Sequence, residues 1–159
     1  MKLKVLIACY SYSGNTLKVA KELKESLSAD LTKIEPVKDR FYLLKGWGAL
    51  REQRAAIKPC TTDLHDYDAL VVCCPIWAGK SPAGLNQYLD ELQNVKGKKL
   101  GAFVTMGGNG NQKATMQIRE ALSERGMEFL GQMKIASKDL KSGAYTEMVE
   151  TFAKKFQDS

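Results

Sequence analysis

The chain has 159 residues, 44% of them apolar, 26% charged and only 4 of them proline, a composition that excludes collagen-like, disulfide-scaffold and disordered chains. At 17.6 kDa a folded chain exposes roughly 7,900 Å² against about 25,000 Å² unfolded, so residues 1–159 are expected to form one domain. Twenty-four Lys and Arg against eighteen Asp and Glu leave +6 and a pI near 9.1, which suits an acidic partner without choosing among nucleic acid, anionic membrane and acidic protein.

The apolar run at residues 5–9 is too short for a signal-peptide core, and no segment reaches the ~20 apolar residues of a membrane span. A cytoplasmic protein with no membrane contact is expected. Cys9, Cys60, Cys73 and Cys74 form no C-x-x-C pair and read as small hydrophobes in a reducing compartment.

In chain order, residues 3–9 are the first predicted strand, followed by a helix with Leu17, Ala20, Leu23 and Leu27 at helical spacing. Further strands are predicted at 31–35, at 69–74 (ALVVCC, the most apolar), at 100–105 and at 129–136. Ile118, Ala121 and Leu122 mark a helix between the last two, and a final helix over 144–156 carries Met148, Phe152 and Phe156 at four-residue spacing. Short apolar strands alternating with amphipathic helices imply an α/β fold with a parallel sheet covered on both faces. Ligands of such a sheet sit beyond the carboxyl ends of its strands.

After the first strand comes Ser11-Tyr12-Ser13-Gly14-Asn15-Thr16, leading straight into a helix. Hydroxyls, an amide and a glycine at a helix N-terminus make a cradle for a phosphate; the alternative is a polar N-capping turn. The lysine of a nucleotide-triphosphate loop is missing. The arginine that would follow Cys9 in a phosphatase cradle is replaced by Asn15, and a phospho-acceptor domain would need acidic residues where Cys9 and Cys74 stand.

Between the second and third strands, residues 38–58 form a stretch longer than a minimal connection, with six basic and two acidic residues. Leu43, Trp47, Leu50 and Ile57 fall on one helical face, as a covering helix would have them; the sharper reading has Trp47 closing over the edge of a bound cofactor or forming a docking surface. His65 is a solvated loop residue with no assigned role. The third strand leads into Pro75-Ile76-Trp77-Ala78-Gly79-Lys80, where a flat aromatic ligand would explain an exposed tryptophan by stacking; burial under a neighbouring loop is the alternative. The fourth leads into Thr105-Met106-Gly107-Gly108-Asn109-Gly110, whose glycines let backbone approach a planar edge, or make a surface turn.

Together these residues resemble the flavodoxin-like family over essentially the whole chain. Ser11-x-Ser13-Gly14-Asn15-Thr16 is similar to its phosphate-binding signature, Pro75-x-Trp77-x-Gly79 to its isoalloxazine-stacking loop, and residues 105–110 match the second ring-contacting loop in position. The resemblance implies a five-stranded doubly wound sheet of order 2-1-3-4-5 with FMN as cofactor. It implies that Ser11, Ser13, Asn15 and Thr16 hydrogen-bond the FMN phosphate, that Tyr12 lies along the ribityl chain, that Trp77 stacks on the ring, and that Gly107, Gly108, Asn109 and Gly110 face the pyrimidine edge. In the family a peptide of the second loop turns to bond the reduced ring, and Ala78-Gly79 is the candidate. The third loop departs from the family in lacking an aromatic residue.

The function so implied is an electron carrier cycling FMN between semiquinone and hydroquinone and meeting redox partner proteins, acidic ones given residues 38–58. The alternative is an NAD(P)H-dependent FMN oxidoreductase of quinone-reductase type. A flavin-free nucleic-acid module rests on pI alone, and no helix-turn-helix or RNA-stacking motif supports it.

Overall fold

The computed structural model describes residues 2–10, 14–37, 56–76, 82–107 and 113–159. Five strands, β1 (Val5–Tyr10), β2 (Asp30–Ile34), β3 (Ala69–Pro75), β4 (Lys99–Met106) and β5 (Glu128–Ala136), form one sheet in the order β2-β1-β3-β4-β5. Every neighbouring pair is parallel, as the sequence pattern predicts. The described helices are α1 (Asn15–Leu27), α2 (Ala83–Glu91), α3 (Lys113–Ser123), α4 (Ser137–Ser142) and α5 (Tyr145–Gln157). None of them is long and apolar enough to cross a membrane.

Burial explains which strands take the middle. Every residue of β1 and β3 is buried, because successive side chains point to opposite faces and both faces are covered. Val5, Ile7 and Cys9, with Val71, Cys73 and Phe103, meet α1 and α5 on one side. Leu6, Ala8 and Tyr10, with Leu70, Val72 and Cys74, meet α2 and α3 on the other. The edge strands β2 and β5 are only partly buried.

Two glycines shape the face that receives α5. A register shift lets Gly131 of β5 pair with Gly101 of β4, leaving Leu130 as the extra residue. The rings of Phe152 and Phe156 lie over Gly101 and the stem of Lys155 over Gly131. The tyrosine hydroxyl of Tyr145 then donates to Glu22 at 2.8 Å and the Gln157 amide to the Ser26 carbonyl at 3.1 Å, so α5 is tied along α1.

Some sequence expectations shift. Ala121 is exposed; the buried face of α3 consists of Ala114, Thr115, Ile118 and Leu122. Ile57 is not on a helix: it forms an isolated antiparallel bridge with Pro36, with Val37 N–H donating to the Ala56 carbonyl at 3.0 Å and Lys58 N–H to the Glu35 carbonyl at 2.8 Å. Its helical spacing was coincidental, because a backbone partner 21 residues earlier leaves no period in the sequence. Leu43, Trp47 and Leu50 lie outside the described residues.

Candidate flavin site

The order β1-β3-β4 sets the carboxyl ends of three consecutive sheet neighbours side by side, at Tyr10, Pro75 and Met106. The three singled-out loops leave from these ends. Of their residues, Gly14, Asn15, Thr16, Pro75, Ile76, Thr105, Met106 and Gly107 are described. Ser11, Tyr12, Ser13, Trp77, Ala78, Gly79, Gly108, Asn109 and Gly110 lie outside the described residues.

At the first end, Gly14 is the N-cap of α1 with φ +88°, a left-handed conformation that glycine adopts without strain. Among the described residues a Cβ there would meet nothing within 4 Å, so it is the backbone angle that calls for glycine. The first turn, from Asn15 to Lys18, holds no carboxylate to offset the positive end of the helix dipole. An anion fits such a terminus.

At the third end, Thr105 links the other two. Its carbonyl accepts the Ile76 N–H at 2.9 Å, holding the start of the second loop against β4. Its hydroxyl lies 2.7 Å from the hydroxyl of Thr16 in the first turn of α1. Both side chains are buried, Thr16 at 1% and Thr105 at 6% exposure. The Met106 carbonyl in turn accepts the Ser137 hydroxyl at 3.2 Å, which brings the end of β5 to the same place. Ser137 escaped the sequence analysis; a serine immediately following a strand and opening a helix was the available signal. Among the described residues a Cβ at Gly107 would meet nothing within 4 Å.

Tyr10 is buried, and its ring would touch a Cβ placed on Gly84, so glycine lets α2 close down beside β1. Burial pushes the Cys74 thiol up to about 12 and the Cys73 thiol well above its ordinary value, both reinforced by neighbouring Cys9. Protonated thiols of this kind are poor nucleophiles. A groove of about 480 Å³ between β5 and α5, lined among others by Gln132, Glu147 and Lys155, includes none of the residues at the three strand ends.

The model of the family described as NADPH-dependent FMN reductase matches residues 1–140. The chain belongs to that family. It has the flavodoxin-like fold, and FMN is the cofactor that goes with this membership; the glycine-capped, acid-free terminus of α1 suits the phosphate of FMN. Among solved structures it is similar to a flavoprotein in complex with FMN from Lactobacillus acidophilus, with 19% identity over 88% of this chain and 97% of the other at a TM-score of 0.68. It is also similar to oxidised Flavodoxin 2 from Bacillus cereus, with 26% identity over 98% of both chains at a TM-score of 0.67. No curated protein matches.

Proposed function

We propose that the protein is an FMN-dependent oxidoreductase that draws its electrons from NADPH. The match of residues 1–140 to the reductase family carries this reading. FMN supplies the redox chemistry when bound, while the protein binds, orients and shields it. Gly14, Asn15 and Thr16, with Ser11 and Ser13 before them, are assigned to the phosphate and Tyr12 to the ribityl chain. Pro75, Ile76, Trp77, Ala78 and Gly79 are assigned to one border of the ring and residues 106–110 to the other, while the Thr105 hydroxyl turns to Thr16. A phosphate held by hydroxyls and N–H groups alone suits a loop without a cation.

Rapid mixing of the FMN-loaded protein with NADPH under anaerobic conditions tests the reading. Fast loss of the oxidised flavin band with NADPH alone is expected. If only a chemical reductant bleaches the flavin, the protein is instead a carrier, a reading favoured by its likeness to the flavodoxin of Bacillus cereus over 98% of both chains. A one-electron-reduced species accumulating through a reductive titration would support that second reading.

The basic residues between 38 and 58 support an acidic redox protein as the other partner. Electron transfer to such a partner is expected to slow as ionic strength rises from low to physiological salt. Rates independent of salt would remove that part of the proposal.

A further inference from the structure

We infer that Thr105 is a positioning residue for the flavin phosphate and acts through Thr16, an inference that rests on the assignment of FMN to this site. The two hydroxyls are 2.7 Å apart. They belong to residues 89 positions apart, one on a helix and one on a strand, and both are shut away from water. Thr105 is held rigidly: it pairs with Pro75 on one side and Ile135 on the other, and its carbonyl takes the Ile76 N–H. Its hydroxyl is therefore presented by the sheet at a fixed point.

A hydroxyl has one proton to give and two lone pairs to receive. Within the pair, one threonine donates and the other accepts. If Thr16 donates, its only proton is spent on Thr105. If Thr105 donates, the proton of Thr16 stays available to a further acceptor. A phosphate monoester near neutral pH is almost purely an acceptor, so a phosphate at the start of α1 selects the second arrangement. Protons then point one way, from Thr105 to Thr16 to phosphate oxygen, and each bond polarises the next in a site of low dielectric. Thr105 thus fixes the direction in which Thr16 donates without touching the ligand.

A valine at 105 keeps the shape and removes the proton. The experiment measures dissociation constants of FMN and of riboflavin, which lacks the phosphate, by flavin fluorescence for the wild type, Thr105→Val, Thr105→Ser and Thr16→Val. Thr105→Val is expected to weaken FMN about five- to tenfold, the worth of one hydrogen bond, and to leave riboflavin unchanged. Thr105→Ser, which keeps the hydroxyl, is expected to restore FMN affinity. Adding Thr105→Val to Thr16→Val is expected to cost little more, because the second residue acts through the first. Equal losses for FMN and riboflavin would overturn the inference in favour of a packing role, as would undiminished FMN binding by Thr105→Val. A wild-type protein that binds no FMN would overturn the cofactor assignment itself.

Discussion

Gly101→Ala is expected to destabilise the protein by about 3 kcal/mol, at the upper end for overpacking a core. A Cβ at this position overlaps the ring of Phe156 and comes within 2.9 Å of Cζ of Phe152. Neither ring can step aside easily. Both are 2% exposed, and they pack on one another with centroids 5.4 Å apart. Because α5 is tied to α1 through Tyr145 and Glu22, lifting α5 also loosens the helix assigned to the flavin phosphate, and weaker FMN binding should accompany the lost stability. Urea titration checks the first effect as a lower midpoint at unchanged slope. Phe156→Leu in the Gly101→Ala background should recover part of the loss. A midpoint equal to that of the wild type would mean that α5 does not rest on Gly101 as described.

Raising the pH above 9 is expected to unfold the protein steeply. Burial holds the Cys74 thiol protonated up to about 12, keeps the Cys73 thiol well above its ordinary value of 9.0, and pushes the Tyr88 phenol above its ordinary 10.0. Tyr88 also donates to the Thr61 carbonyl at 2.8 Å, a bond its phenolate could not make. In the unfolded chain these groups release their protons near their ordinary values. Above pH 9 the unfolded state therefore binds fewer protons than the folded state, and stability falls as pH rises. The contribution is fully present below pH 9 and is lost progressively as pH rises, for Cys74 through about 12. Each thiol contributes a slope of about 1.4 kcal/mol per pH unit, so the pair gives about 3, with Tyr88 adding to it beyond pH 10. Urea midpoints measured from pH 7.5 to 10.5 should bend downward near 9, and Cys74→Ala should remove at most half of the slope between 9 and 10, the thiols of Cys73 and Cys60, both raised by burial, carrying the rest. A straight, level profile would contradict the burial of these groups.

The central strands were the easiest part of this fold to see in the sequence. Residues covered on both faces write themselves as unbroken apolar runs, and β1 and β3 do so in VLIACY and ALVVCC. Strand ends were harder to see. Lys99 and Glu128 extend β4 and β5 because they pair with each other, down to a 2.9 Å ion pair, and neither looks like a strand residue alone. The short helix α4 has no buried residue and hence no apolar stripe to betray it.

Of the site, the sequence singled out three loops by their polar and glycine-rich composition between apolar strands, and the sheet order sets the strand ends they leave from side by side. The bond between Thr16 and Thr105 was invisible. Thr105 read as the opening residue of a ring-contacting loop, yet its hydroxyl faces the helix of the first loop. Side-chain direction on a strand depends on register, and register depends on partners far away in the chain.

The bridge between Pro36 and Ile57 has an evolutionary consequence. The chain leaves the end of β2 through Pro36 and Val37, and Ala56 to Lys58 pair back against them, so residues 38–55 lie between two segments bonded to each other. Closing a longer or shorter stretch between such segments changes its entropy only slowly with length, and no strand has to shift. Five basic and two acidic residues lie in that stretch, half of the chain's positive excess. Half of the net positive charge is thus modular: a change in the length or composition of 38–55 alters it while the paired segments on either side, and with them the sheet, keep their places.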